Sequence, residues 1–215
     1  MKKPFLIGLP VVALALVGCT TGMSPTDYDK LTAEITKASF QDKNLVKVDR
    51  LVQDDVMAAC SAADVAGKPL DEQAAKAIEA AAMKSIKWPT EGQFLGDWKK
   101  GEAIAQSGRG ATWSDDAKVV NGGNCYNCHQ IDKKEVSYGT IGPSLYNYGK
   151  IRGVTDPNGA AAKEIVAYTW GKIWNPHAYN ACSLMPRAGA KGVLTEQQIK
   201  DVMALLLDPK SPVNQ

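Results

Sequence analysis

The segment Cys125-Tyr126-Asn127-Cys128-His129 constrains the fold of this chain more than any other feature of the sequence. Two thiols separated by two residues can each form a thioether bond with a vinyl group of one porphyrin, and the histidine that follows can bind the iron. A chain with a covalently attached haem must build its core around that flat, apolar group. The segment therefore predicts one haem c held by Cys125 and Cys128, with His129 as an axial ligand.

Two other sites use closely spaced cysteines. A thioredoxin-type dithiol normally follows a strand, and residues 122–124 do not have the character of one. A zinc site could be assembled from four side chains of this sequence, namely Cys125, Cys128, His177 and Cys182. Neither alternative requires a histidine at position 129, and the last two zinc candidates lack the close spacing typical of zinc ligands. The sequence thus favours haem over both.

The N-terminus predicts export from the cytoplasm. Two lysines precede an apolar run over residues 5–17, which is too short to span a bilayer comfortably and is followed by small residues. Residues 16–19, Leu-Val-Gly-Cys, resemble the bacterial lipobox. We therefore predict a lipoprotein signal peptide over residues 1–18 and lipidation of Cys19. Residues 19–30 would form a tether between the lipid anchor in a membrane and a folded part in the periplasm. An ordinary signal peptide cut near the same place is the alternative.

The charge balance predicts no nucleic-acid partner. The chain has 25 basic and 23 acidic residues, and removal of a segment with Lys2 and Lys3 leaves the two kinds equal in number. No basic stripe or aromatic platform is visible in the sequence. Docking to other proteins should therefore depend on local patches rather than on an overall field.

The spacing of apolar residues predicts an all-α protein with a helical N-terminal extension over residues 31–90. Apolar residues recur at three- and four-residue steps from Leu45 through Val56, and this pattern runs on to Cys60. A second helix is expected over residues 71–87.

Residues 91–215 are expected to form the haem-binding domain. Helices are predicted over about residues 97–106 and 160–174, and a last helix should open at a capping box that begins with Thr195 and end before Pro209. No alternation typical of strands and no internal repeat is visible.

An electron-transfer haem generally has a second axial ligand, so that no iron site is left open. The candidates are one histidine and five methionines: His177, Met23, Met57, Met83, Met185 and Met203. Met185 lies in an irregular segment directly before Pro186, which would stiffen the backbone that presents the sulfur. Met203 falls on the apolar stripe of the last helix and is expected in the core. We predict Met185 as the ligand; His177, a thiolate or an open site are the alternatives.

Two cysteines remain after lipidation and haem attachment, which is the even number expected in an exported protein. A disulfide between Cys60 and Cys182 would link the helical extension to the segment that carries Met185. Two free thiols, or a role for Cys182 as a redox group or iron ligand, are the alternatives.

The order of these motifs resembles that of class I cytochromes c. The haem motif is followed by Gly142-Pro143-Ser144-Leu145 and then by Met185-Pro186. The resemblance implies that the Pro143 carbonyl accepts the Nδ1 proton of His129, as supporting residues around iron ligands commonly do. It also places Arg152 near a haem propionate.

Longer stretches are similar to the SoxX family, the monohaem cytochrome subunits of SoxAX complexes in bacterial sulfur oxidation. They comprise residues 124–130, 139–145, 185–187 and 207–214, and the resemblance covers about residues 90–214. It implies an electron-accepting subunit without catalytic residues of its own, paired with a SoxA-like dihaem or monohaem cytochrome. Such a complex couples thiosulfate oxidatively to a cysteine of the carrier SoxYZ, an S-thiosulfotransferase reaction, and passes electrons to a soluble cytochrome c. A freestanding, lipid-anchored electron shuttle and a haem-based sensor are the alternatives.

Overall fold

The computed structural model of the 215-residue chain describes residue 22 and residues 24–215. The predicted signal peptide, Cys19 and Met23 lie outside the described residues. The described part is helical: α1 (Pro25–Ser39), α2 (Asp55–Val65), α3 (Glu72–Ser85), α4 (Trp98–Gln106), α5 (Tyr148–Ile151), α6 (Lys163–Trp174) and α7 (Glu196–Leu207). It has no β-strand, only an isolated bridge between Lys43 and Val46. The expected all-α class is confirmed.

The described part of the chain divides into two compact units, with the boundary between residues 41 and 42, and helix α1 belongs to the first. Ser24 caps this helix, because its hydroxyl accepts the Asp27 N–H while the Asp27 carboxylate accepts the Ser24 N–H. Pro25 occupies the first turn, where its missing N–H costs nothing. The helix therefore begins inside the stretch 19–30 that the composition predicts to be a tether.

Helix α2 begins at Asp55, later than the apolar spacing from Leu45 predicts. Asp54 sets this start, since its carboxylate accepts the Met57 N–H at 3.0 Å. Leu51 and Val52 are exposed, so the apolar residues before Asp54 do not form the buried face of a helix. Within the described part, no helix is long and apolar enough to cross a membrane.

Helix α3 packs on the haem-binding part of the chain. The Asn175 side chain donates to the Ser85 hydroxyl at 2.9 Å, and the Trp170 indole donates to the Lys87 carbonyl at 2.9 Å. Residues 42–90 lie in the same compact unit as residues 91–215.

Helices α4 and α7 cross in close contact at Gly101. A Cβ atom at this position would lie 2.1 Å from the Asp201 carbonyl oxygen, so only glycine fits. The Asp201 carboxylate, which is buried, accepts the Asp97 N–H at 2.9 Å and joins the start of α4 to α7. This crossing fixes the position of α4, the helix that precedes the haem motif in the sequence.

Helix α7 supplies much of the core. It opens with the predicted capping box between Thr195 and Gln198. Met203 is fully buried, as its place on the apolar stripe predicts. Helix α6 packs beside it through Trp170, which is also fully buried and stacks on Trp174 at 5.8 Å.

Candidate haem site

The haem motif forms a single tight turn. Asn124 has a left-handed conformation with φ of 50°, and residues Cys125–Asn127 follow as a 3₁₀ turn. The His129 N–H donates to the Cys125 carbonyl at 2.9 Å and closes the turn. This conformation presents Cys125, Cys128 and the His129 ring to one cavity.

The environment of Cys125 does not favour a reactive dithiol. Desolvation by burial raises the pKa of its thiol to about 11, and the nearby Cys128 and Glu102 act in the same direction. Redox-active dithiols need the opposite shift, because the thiolate is the nucleophile. The structure therefore gives no support to the dithiol alternative.

A carbonyl oxygen fixes the orientation of the His129 ring. The Nδ1 atom lies 2.7 Å from the Pro143 oxygen, and since a carbonyl can only accept, Nδ1 carries the proton. The Nε2 lone pair is then available to a metal. Gly142 makes this contact possible, because a Cβ atom there would lie 2.2 Å from Cε1 of His129.

Backbone hydrogen bonds hold the segment that carries Pro143 against the haem motif. The N–H groups of Gly139, Gly142 and Leu145 donate to the carbonyls of Tyr126, Cys128 and Gln130, at distances of 2.7 to 2.8 Å. These three bonds form a local frame around His129.

Tyr126 ties the same motif to helix α4. Its buried hydroxyl donates to the Glu102 carboxylate at 3.0 Å and accepts the Asp132 N–H at 3.1 Å. Desolvation raises the pKa of Glu102, although the hydrogen bond from Tyr126 opposes this shift.

The cavity in front of the haem motif has a volume of about 560 Å³, within the size range of cofactor pockets. Its walls are mostly apolar and include Ile131, Leu145, Ile173, Leu194, Val202 and Leu206. Met185 lines the same cavity as His129, and it packs against the hydrophobic core. Two thiols, an imidazole and a thioether thus face one apolar space, and this set of groups fits a haem c.

Met185 lies on a loop of residues 180–187, named here the Met185 loop. The Met185 N–H donates to the Ser183 hydroxyl at 3.3 Å. His177 precedes the loop, is buried and holds the Ser183 carbonyl through Nε2 at 3.2 Å. Desolvation by burial lowers the pKa of His177. His177 is not among the residues that line the cavity, so its role is to support the Met185 loop.

Cys60 and Cys182 form a disulfide, with their Cα atoms 5.6 Å apart. Cys182 also lines the haem cavity, but its sulfur is engaged in this bond. Among the described residues, no group of three or more Cys, His, Asp or Glu side chains converges as a metal site. The four side chains considered for zinc are therefore not assembled into one.

Two cations lie at the edge of the cavity. The Arg152 guanidinium is 4.5 Å from the centre of the Tyr148 ring, and the side chain is exposed. Lys172 lines the cavity beside it, with Nζ 5.2 Å from the centre of the Tyr179 ring, and desolvation lowers its pKa. Lys172 could not be predicted from the sequence, because a lysine within a helical pattern carries no signal of its own.

Comparison with known proteins identifies a similar family and a similar protein. The family model for cytochrome c matches residues 114–209. An uncharacterized lipoprotein of Aquifex aeolicus (strain VF5) is 38% identical over 137 residues, which is 60% of this chain. The match spans 58% of that relative's own length.

The family match and the helical structure agree with each other. The described part of the chain is all-α, as in class I cytochromes c, and residues 114–209 form a cytochrome c domain with one covalently bound haem c. A domain of this kind transfers electrons through its haem.

Proposed function

We propose that this chain carries a six-coordinate haem c whose axial ligands are His129 and Met185, and that it transfers electrons without chemistry of its own. Cys125 and Cys128 hold the group through thioether bonds. The single observation that carries the proposal is the cavity, which is lined by both thiols, the fixed His129 ring and Met185. A thioether beside an imidazole raises the reduction potential of a haem relative to two imidazoles, so the site suits an electron acceptor.

The protein side chains have three tasks in this site. His129 is held in one tautomer by Pro143, which keeps the same nitrogen directed at the iron. The apolar walls exclude water. Arg152, and with it Lys172, would pair with the haem propionates at the edge of the cavity, where both cations already lie.

Replacement of Met185 by alanine tests the ligand set. The oxidised protein should lose its long-wavelength sulfur-to-iron charge-transfer band, because no thioether remains on the iron. Met203→Leu is the matched control, since Met203 is fully buried in the core and leucine keeps its volume. If the band persists in Met185→Ala and is lost in Met203→Leu, then Met203 is the ligand and the assignment to Met185 is wrong.

We further propose that the physiological setting is a SoxAX-like complex in sulfur oxidation. The resemblance of residues 90–214 to the SoxX family supports this, since it includes the segments around both proposed ligands. In that setting thiosulfate is joined oxidatively to a SoxYZ cysteine on the SoxA-like partner. This chain receives the electrons released and passes them to a soluble cytochrome c.

The second candidate is a freestanding electron shuttle anchored to a membrane by lipid. The specific observation in its favour is the similar Aquifex protein, which is described as a lipoprotein, together with the lipobox-like residues 16–19 of this chain. A Cys19→Ala variant should move from the membrane fraction to the soluble periplasmic fraction if Cys19 is acylated. An unchanged distribution would remove the lipid anchor from both candidates.

Purification under gentle conditions separates the two candidates. Tagged protein from a host grown on thiosulfate should bring down a second c-type cytochrome if the SoxAX-like proposal is correct. The same host grown without a reduced sulfur compound is the control. Protein that purifies alone from thiosulfate-grown cells would contradict the complex and favour the shuttle.

A further inference from the structure

The Met185 loop is tied at both ends to the helical extension. At its start, the Ala181 N–H donates to the Glu79 carboxylate at 3.2 Å, and the next residue, Cys182, is bonded to Cys60. At its end, the Arg187 guanidinium lies 2.6 Å from the Asp54 carboxylate. Met185 stands between these attachments. The three extension residues Asp54, Cys60 and Glu79 are named here the extension clamp.

The ionic part of the clamp is partly shielded from water. The Arg187 side chain is 16% exposed and that of Asp54 is 33% exposed, and Lys191 adds a second cation 3.0 Å from the same carboxylate. A partly desolvated, charge-assisted contact holds its geometry better than an exposed ion pair does. Asp54 also caps helix α2, so the contact fixes Arg187 to the start of a helix rather than to a free side chain.

The contacts within the Met185 loop join residues that are only two or three positions apart in the sequence. The Ser183 N–H donates to the Asn180 carbonyl at 3.0 Å, and the Cys182 and Met185 N–H groups donate to neighbouring side chains at 3.1 and 3.3 Å. These bonds shape the loop but connect it only to itself. Its position over the cavity therefore depends on outside attachments, among which the clamp is prominent.

We propose that Asp54, Cys60 and Glu79 are positioning residues that keep the Met185 sulfur on the haem iron. The proposal rests on Met185 being the axial ligand, as argued above. Opening of the loop would break the Glu79 hydrogen bond and the Asp54 ion pair together with the iron–sulfur bond, while the intact disulfide limits how far the loop can move. The clamp therefore lowers the population of the open form. The extension thus serves the haem site as a brace for its distal ligand. It acts through the Met185 loop, since none of the three clamp residues lines the haem cavity.

Competition with imidazole measures this effect in the intact, haem-loaded, oxidised protein. Imidazole can bind the iron only when Met185 has left it, so the apparent dissociation constant falls as the open fraction rises. Loss of the sulfur-to-iron charge-transfer band reports the exchange directly. This readout does not depend on any electron-transfer activity.

Asp54→Asn isolates the ionic contact. Asparagine caps a helix as well as aspartate does, so α2 should remain intact while the charge opposite Arg187 is lost. The variant should bind imidazole about two- to fivefold more tightly than the wild type. Asp55→Asn is the matched control, because it removes the same charge from the adjacent first-turn residue of α2. Equal imidazole affinities in the two variants would contradict the role of Asp54.

The other two clamp residues are tested in the same way. The double variant Cys60→Ala, Cys182→Ala avoids a stray thiol beside the haem and should bind imidazole more than about tenfold more tightly. Glu79→Ala should also tighten binding, whereas Glu79→Gln should restore the wild-type value, since an amide oxygen still accepts the Ala181 N–H.

The outcomes separate this proposal from the ligand assignment. If the wild-type protein lacks the charge-transfer band, the Met185 assignment fails and the clamp has no ligand to position. If the band is present and every clamp variant binds imidazole as the wild type does, the clamp proposal alone is overturned. Denaturant unfolding of each variant provides a further check, because a purely structural role would lower global stability without changing imidazole affinity.

Discussion

The two loops that carry the proposed iron ligands are held in very different ways. His129 is fixed by a carbonyl only 14 residues away, and the backbone bonds around it are equally local. The Met185 loop is fixed by contacts that span 102, 122 and 133 residues. The His129 side can therefore form from its own short sequence once haem is attached. The Met185 side depends on a distant part of the chain, which makes it the side that distant substitutions can loosen.

The strongest challenge to the local frame is Gly142→Ala. The added Cβ atom would lie 2.2 Å from Cε1 of His129, so either the ring or the backbone bonded to Cys128 must move. Forced overpacking of this kind costs about 1–3 kcal/mol or more, and we expect most of the correctly ligated haem to be lost. Haem c content per protein and the charge-transfer band measure this. Ser144→Ala on the same loop is the control; a normal spectrum in Gly142→Ala would contradict the frame.

Removal of the long-range disulfide should lower the stability of the protein and leave its haem content unchanged. The variant Cys60→Ala, Cys182→Ala is expected to lose about 2–5 kcal/mol of unfolding free energy. Denaturant unfolding of the haem-loaded protein measures the loss. Haem attachment should be retained, because Cys125 and Cys128 belong to the haem motif, which the local frame holds without the disulfide. Haem loss comparable to that of Gly142→Ala would show that the two sides are not independent.

A smaller effect is expected from Tyr126→Phe, which weakens the attachment of the haem motif to helix α4. The change removes a hydrogen bond to Glu102 and leaves the Asp132 N–H without its acceptor, at a cost of about 1–2 kcal/mol. Tyr146→Phe is the control, since that hydroxyl makes only a long contact of 3.5 Å with the terminal carbonyl. Thermal or denaturant unfolding compares the stability of the two variants. Equal losses of unfolding free energy would mean that Tyr126 contributes through its ring alone.

The smallest expected effect is the pH dependence of the Asp54 contact. Burial alone would raise the pKa of Asp54, but hydrogen bonds from Met57, Lys191 and Arg187 hold it well below its usual value. A depressed pKa gives stability that is fully present above the unfolded value, about 3.9, and is lost as the pH falls towards the folded value. The free energy of unfolding of the wild type should exceed that of Asp54→Asn by less than about 1 kcal/mol near neutral pH, and this difference should shrink in acid. Denaturant unfolding of both proteins at neutral and at acidic pH measures the difference. A difference that grew in acid would contradict the prediction.

The sequence predicts the local features of this molecule well. The bounds of α4 and α7 follow from caps and apolar spacing that each helix carries within itself. Helix α6 ends at the predicted residue but begins at Lys163, after a 3₁₀ turn and without a side-chain cap. The contact between His129 and Pro143 follows from a resemblance in motif order, and the structure has the two groups at bonding distance. The roles of His129, Met185 and Arg152 toward haem stay predictions.

The features that sequence reasoning missed depend on tertiary context. The start of α1 was hidden because Ser24, Pro25 and Asp27 are typical both of a tether and of a capped helix. The apolar spacing from Leu45 predicted an earlier start for α2, which begins only at Asp55. Leu51 and Val52 are exposed, so they do not pack into the core. The contact between Asp54 and Arg187 joins two ordinary surface residue types, and only the fold brings them together.

The disulfide has a consequence for how the protein must be assembled. Four cysteines lie in the described part, and four thiols in an oxidising compartment can pair in three ways. Cys125 and Cys128 lie between Cys60 and Cys182 in the sequence, so early oxidation could trap Cys60 with a thiol needed by the haem. Once both thioethers exist, a single pairing is left. Haem attachment that precedes oxidation would therefore direct the disulfide to its correct partner, and a chain starved of haem should accumulate mispaired forms.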